Sequence, residues 1–295
     1  MKRRRAIFTQ QLSDDVTPRF TVRRLRRMIL VYLLVTAVAA IVTVVATTGF
    51  GVNCIIASML GFKDRAGSVF DWTPRVWSRL LLAGSGVRVV VHNPERAGDG
   101  QPHIFASNHL SWFDIPVLAS SLPRYKFVAK AELFAVPMFG QAIRAIGMIP
   151  MARQNRKAAF AAYDEAAAKI REGNSVVVFP EGTRGDDYPI RPFKKGPFVL
   201  AIAAGVPVVP TLVHGTREVM SKNTFLVRPG KVDLHLLEPV PTAGLGYEDR
   251  DALAEAVRLR LVEALRIHYG IESPTGGAPQ LAAAAPTLSS ALNNT

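Results

Sequence analysis

The chain has a single cysteine, Cys54. It can therefore form neither an intrachain disulfide nor a cysteine-based metal site, and a disulfide-stapled secreted domain is excluded. Charge is scarce as well, with Asp, Glu, Lys and Arg making up 20% of the residues against 49% hydrophobic. Negative charge is the scarcer sign: 23 acidic residues face 36 basic ones, for a formal net charge of +13. That balance favours nucleic acid, phospholipid headgroups or phosphorylated substrates as partners. A nucleic-acid binder should also offer aromatic stacking platforms or a recognition element. Neither is present, so no nucleic-acid partner is expected. His92, His103, His214, His235 and His268 are scattered without ligand spacing, so no metal is expected either. There is no internal repeat.

The longest absence is a run of 35 residues, Met28 to Phe62, without one charge. A buried soluble helix seldom runs so far without a polar face, so insertion into a membrane is expected. One straight helix of that length would reach about 52 Å, against a hydrocarbon core of about 30 Å. Thr47, Thr48, Gly49, Gly51 and Asn53 supply turn-forming residues near its middle. A helical hairpin or re-entrant pair, each arm about 25 Å, is therefore predicted. Residues 1–27 carry nine basic side chains against Asp14 and Asp15. This cluster abuts the apolar run and reads as a cytoplasmic anchor for anionic membrane lipids. A hairpin returns the chain to the cytoplasmic side. A cleavable signal peptide fits poorly, because the basic lead is too long and no small-x-small site closes the run.

Residues 72–83 combine Trp72, Trp77, Arg75 and Arg79 with apolar residues at helical spacing. They suit an interfacial helix or an ordinary amphipathic helix of a folded domain equally. From Val87 onward short β-rich runs alternate with helical stretches. Strands are predicted at 87–91, 103–107, 126–129, 176–179, 208–213 and 232–236. Helices are predicted at 115–120, 137–145, 156–171, 197–204 and 250–268. This pattern specifies an α/β fold with a mostly parallel sheet flanked by helices. The stretch 273–295, rich in Ala, Pro, Ser and Asn, is expected to be disordered.

Two segments carry the chemistry. Asn108, His109, Leu110, Ser111, Trp112, Phe113 and Asp114 follow a predicted strand directly. On one continuous helix, positions five apart point away from each other. His109 and Asp114 meet if His109 precedes a helix capped by Ser111, with Asp114 at its third position. An imidazole beside a carboxylate that fixes its tautomer is what a general base requires. The same spacing also suits a capping-box variant in which Asp114 only serves the helix end. Further on, the strand at 176–179 breaks into Pro180, Glu181, Gly182, Thr183 and Arg184. Arg184 offers a fork suited to phosphate, and the amides of Gly182 and Thr183 could face an oxyanion. A surface pair between Glu181 and Arg184 is the plain alternative. Arg191, Lys194 and Lys195 add positive charge at a probable helix start.

In this order the segments resemble the glycerolipid acyltransferase family, in particular the lysophosphatidic acid acyltransferases, across roughly residues 85–240. Asn108, His109 and Asp114 match its Asn-His-x4-Asp block, and Phe179 to Arg184 match Phe-Pro-Glu-Gly-Thr-Arg without a change. Val206 to Pro210 match its apolar, proline-bearing strand. Lys130 to Leu133 and Phe193 to Gly196 resemble further segments of these enzymes. The second block is looser: Gly147 and Arg153 are kept, while Pro150, Met151 and Ala152 stand where the family has aromatic and polar residues. The resemblance implies the glycerolipid acyltransferase fold over 63–272. It implies direct transfer of an acyl chain from acyl-CoA or acyl carrier protein to the sn-2 hydroxyl of lysophosphatidic acid, with no cofactor. His109 would be the base and Asp114 its partner. Asn108, Lys130, Arg153, Glu181, Gly182, Thr183 and Arg184 would contact the phosphorylated acceptor. A sister acceptor such as glycerol 3-phosphate or a lyso-aminolipid, or a non-catalytic membrane adaptor, are the other expectations. The expected location is the cell's inner membrane, with the catalytic domain facing the cytoplasm.

Overall fold

The computed structural model describes residues 22–98, 100–152 and 156–274. The expected basic segment thus lies largely outside the described residues, as do 275–295. The first element, α1 (Val22–Met59), is one continuous helix of 38 residues, which corrects the hairpin expected within 28–62. The chain does not turn at Thr47–Asn53: Gly51 packs closely on a neighbouring helix and Thr47 accepts a hydrogen bond from Trp77. A Cβ added to Gly51 would sit 3.3 Å from Ala142 of a neighbouring helix. Thr36 and Thr43 return their hydroxyls to carbonyls four residues back, so the run carries no free polar group there. The reversal comes later, at Gly61, whose φ of 78° lets its amide reach Ser58 O while the Phe62 amide reaches Ala57 O.

After this turn α2 (Val69–Gly84) packs back against α1, so a helical pair does form, about ten residues further on than expected. Trp77 Nε1 donates to Thr47 Oγ1 at 3.0 Å, and Trp72 meets Phe50 edge to face at 6.2 Å. The two tryptophans therefore seat α2 on α1. The connecting loop is tied to the domain through Lys126, whose Nζ lies 2.6 Å from Asp64 Oδ2 and 2.7 Å from Ile146 O. Burial pulls the Lys126 pKa down and the Asp64 carboxylate opposes that shift.

The remaining elements are β1 (Val87–His92), β2 (Ile104–Ser107), α3 (Asp114–Ser121), β3 (Tyr125–Lys130), α4 (Phe139–Ala145), β4 (Ile149–Met151), α5 (Arg156–Arg171), β5 (Ser175–Val178), α6 (Gly196–Ala204), β6 (Val208–His214), α7 (Thr216–Val219), β7 (Gly230–Leu236) and α8 (Arg250–Tyr269). The seven strands lie in the order β1-β7-β6-β2-β5-β3-β4, and five of the six neighbouring pairs are parallel. Only β6 and β7 run antiparallel. The central strands β2 and β5 are buried along their whole length, as both faces carry helices. β4 was not anticipated: it is three residues long and holds Pro150, which an edge strand tolerates. Ser273 and Pro274 fall inside the expected disordered stretch but are anchored. Ile190 N donates to Ser273 Oγ at 2.9 Å, and Arg258 Nη1 to Pro274 O at 3.1 Å.

The histidines are less scattered than their sequence positions suggest. Strand register sets His92 beside His235, and the ring of His235 stacks on His92 at 4.2 Å and on His268 at 4.5 Å. His235 Nε2 meets Tyr269 OH at 2.7 Å, and Tyr269 stacks on His214 at 3.5 Å. Stacked rings do not aim their nitrogens at one point, and among the described residues no grouping suited to a metal ion occurs. Burial, reinforced by His92 and His268, pushes the His235 pKa from 6.5 down to about 4. The unfolded chain takes up this proton near pH 6.5, before the folded chain does. Stability from this group therefore falls as pH drops from 6.5 towards about 4. The variant His235→Phe keeps the stack without the titration. Its melting temperature should fall less than that of the wild type over this window, and parallel curves would refute the assignment.

Candidate active site

Strands β2 and β5 are parallel neighbours, so the loops that leave their C-terminal ends open on the same edge of the sheet. His109 follows β2, and Glu181 to Arg184 follow β5. The two loops are joined through the backbone of His109: its amide donates to Glu181 Oε1 at 3.2 Å, and its carbonyl accepts from Gly185 N at 2.7 Å. Lys130 ends β3 and Arg153 follows β4, which continues the same edge in the order β2, β5, β3, β4. Arg153 itself lies outside the described residues.

His109 Nδ1 lies 2.7 Å from Asp114 Oδ2. The carboxylate is buried, and the ring keeps 15% of its surface exposed while stacking on Phe179 at 4.0 Å between centroids. The local geometry differs from the expected cap. The helix starts at Asp114 itself, preceded by Phe113, so Asp114 occupies its first position and Ser111 is not the cap. The carboxylate reaches backwards instead, accepting the amides of Leu110 at 2.7 Å and Ser111 at 2.9 Å on Oδ2. Ser111 Oγ accepts from Phe113 N and donates to Met220 O at 2.6 Å. A fourth donor, Thr216 Oγ1, meets Asp114 Oδ1 at 2.5 Å, a contact that no sequence signal announced. With these donors pointing at it, Asp114 acts as acceptor. The hydrogen of the imidazole then sits on Nδ1 and the lone pair on Nε2, the arrangement of a general base.

The other expected contact residues take distinct places. Asn108 turns inward and extends the sheet: its Nδ2 donates to Val213 O at 2.9 Å and its Oδ1 accepts from Val213 N at 2.8 Å. Glu181 is buried between the His109 amide and Arg191, whose Nε lies 2.7 Å from Oε2. It is therefore paired with Arg191 and not with Arg184. Arg191 also donates to Thr183 Oγ1 and to the Thr183 carbonyl. The Gly182 amide is committed to Phe179 O at 2.9 Å and so does not face an oxyanion. Lys130 is exposed and paired with Glu132 at 3.2 Å. Arg184 lies over the Trp112 ring at 4.8 Å, and its Nη1 is shielded from solvent without a hydrogen-bond partner among the described residues. A buried guanidinium nitrogen left unpaired at the mouth of a site points to an anionic ligand.

A family model described as acyltransferase matches residues 88–214, the stretch that holds both loops. The chain is 34% identical over 195 residues to 1-acyl-sn-glycerol-3-phosphate acyltransferase alpha of Mus musculus, covering 64% of this chain and 68% of the relative. It is 32% identical over 168 residues to a chloroplastic 1-acyl-sn-glycerol-3-phosphate acyltransferase of Brassica napus, covering 56% and 47%. The chain spans between about half and two thirds of the length of these curated relatives. The solved structure of PlsC, the 1-acyl-sn-glycerophosphate acyltransferase of Thermotoga maritima, superposes with a TM-score of 0.67 at 28% identity. The superposition covers 81% of this chain and 98% of that one. The fold and the two loops define an acyltransferase domain. Within that class the chain belongs to the 1-acyl-sn-glycerol-3-phosphate acyltransferase family.

Because the Asn108 side chain makes two buried hydrogen bonds to Val213, Asn108→Ala should destabilise the domain by about 2 kcal/mol, the scale of two such bonds. Thermal melting should show the loss, with the KM of the folded fraction unchanged. A raised KM with an intact melting curve would instead place Asn108 against substrate.

Proposed function

We propose that this chain transfers a fatty acyl group from an acyl thioester, acyl-CoA or acyl carrier protein, to the sn-2 hydroxyl of lysophosphatidic acid, giving phosphatidic acid. The observation that carries the reading is the His109–Asp114 pair at 2.7 Å, in the same loop cage as the unpaired Nη1 of Arg184. A base and a vacant anion donor held together suit an acceptor that offers a hydroxyl and a phosphate. The named activities of the relatives point the same way.

In the proposed reaction His109 Nε2 takes the hydroxyl proton as that oxygen attacks the thioester carbonyl carbon. Asp114 stabilises the imidazolium that forms. The C–S bond of the tetrahedral intermediate then breaks, and the imidazolium returns its proton to the leaving thiolate. The products are an ester and a free thiol. No acyl-enzyme is required, since the acceptor oxygen is the nucleophile. The lone thiol, Cys54, is packed on α1 against Phe70, away from this chemistry. Arg184 would bind the phosphate, with Lys130, at the end of β3, and Arg153 as further cationic contacts.

The location proposed is the cytoplasmic face of the inner membrane. From Leu25 to Met59 α1 is long and apolar enough to cross a bilayer. Its 38 residues would span about 57 Å, well beyond a hydrocarbon core of about 30 Å. One flank is also covered by the domain over much of its length. Val227 N donates to Thr36 Oγ1, Val42 borders Gly84, and Cys54 and Ala57 pack on Phe70. A helix so covered suits an in-plane position, with its exposed flank of Leu30, Leu34, Ile41, Val44 and Val45 in the acyl layer. The basic residues ahead of it would meet anionic headgroups on the cytoplasmic side.

A general base contributes roughly 10²–10⁴-fold. His109→Ala should lose turnover on that scale while still sedimenting with membranes, and more than a tenth of wild-type activity would sink the assignment. Arg184→Ala should raise the KM for lysophosphatidic acid by about tenfold or more, the cost of one charge-assisted contact. A lyso-aminolipid lacking the phosphate should show no such change. If both acceptors suffer equally, the acceptor assignment fails.

A further inference from the structure

The Asp114 carboxylate is held by two parts of the chain, and only one of them belongs to the sequence block that contains it. Oδ2 takes Nδ1 of His109 and the amides of Leu110 and Ser111, all within five residues. Among the described residues Oδ1 has one donor, the hydroxyl of Thr216, 102 residues further on and fully buried. Without that hydroxyl, Oδ1 would be a buried acceptor with no donor, and the carboxylate would be held through Oδ2 alone. Its plane could then tilt about the Cβ–Cγ bond, which takes Oδ2 out of line with His109 Nδ1.

The position of Thr216 is itself fixed. It follows Gly215, whose φ of 102° and lack of a side chain let the turn pass the Lys231 carbonyl, which an added Cβ would approach to 2.5 Å. The Gly215 amide donates to Tyr188 OH at 3.0 Å. Four residues after Thr216, Met220 O accepts from Ser111 Oγ, so the segment after β6 grips the His109 loop at two points.

We propose that Thr216 is a positioning residue for the catalytic pair: its hydroxyl locks the Asp114 carboxylate in the rotamer that keeps His109 Nε2 aimed at the acceptor. The inference rests on the reading of His109 as general base. A residue that acts in this way affects turnover more than substrate affinity.

The test uses the full chain, purified in detergent, with wild type, Thr216→Val, Thr216→Ser and His109→Ala side by side. Thr216→Val should lower kcat about tenfold or more, the rate equivalent of one hydrogen bond to a charged group. The KM values for lysophosphatidic acid and acyl-CoA should stay within about twofold, since neither substrate is contacted. Thr216→Ser, which keeps the hydroxyl, should restore kcat to within about threefold of wild type. Should Thr216→Val fail to fold, Thr216→Ala carries the same test, because it removes the donor without adding bulk. An inactive His109→Ala beside a fully active, folded Thr216→Val or Thr216→Ala overturns the role of Thr216 alone. Equal losses in folded Val and Ser variants overturn it too, since the hydroxyl would not be the cause. An active His109→Ala overturns the base reading and, with it, this one.

Discussion

The buried carboxylate of Asp114 is the constraint on which the site depends. An ionisable group out of contact with water is tolerated only when its hydrogen-bonding capacity is met. Here the donors come from three directions: the loop after β2, the ring of His109 and the segment after β6. Each donor fixes the element that carries it. The same carboxylate that orients the imidazole therefore also holds the helix start, the loop and the turn at Thr216 together. The spacing that left a His109 partner and a helix end as alternatives places both features at one residue. Asp114 opens α3 and binds His109 at once.

A second layer surrounds the first. Glu181 spans from the His109 amide to Arg191, and Arg191 in turn holds Thr183. This leaves Arg184, next along the loop, as the cation whose Nη1 has no hydrogen-bond partner among the described residues. The sequence offers four cations around this loop, Arg184, Arg191, Lys194 and Lys195, and the folded chain separates the one that builds the cage from Arg184. Arg191 builds, whereas Arg184 lies on Trp112 and is available. Trp112 is half exposed, so its ring supports the guanidinium without closing the site.

Much of the fold was legible because periodic signals are strong where elements are long. The helix at Arg156–Arg171 and the six longer strands fall within a few residues of their expected bounds. Short elements were not legible: three residues of β4 around a proline and four residues of α7 carry no period. The turn in the apolar run was misplaced because glycine and threonine signal a turn and a close helix contact alike. Only the packing of Ala142 on Gly51 separates the two. In the site, the His109–Asp114 contact was readable, since both partners lie in one loop. Thr216 and the stacked histidines were not, because strand register and distant turns bring them together across more than a hundred residues in some pairs.

The span between those partners bears on when activity appears during synthesis. The His109–Asp114 contact closes over five residues and can form as soon as its loop does. Glu181, which holds the His109 amide, arrives 72 residues later, and Thr216 a further 35 residues on. The apolar helix α1 leads all of them out of the ribosome. The helix α1 is thus made before the donors of the Asp114 carboxylate are complete. Loop closure over such distances is among the late steps of folding. An unfinished chain carries His109 but lacks Thr216, so the Asp114 carboxylate gains its last donor only when β6 and the turn that follows it are in place.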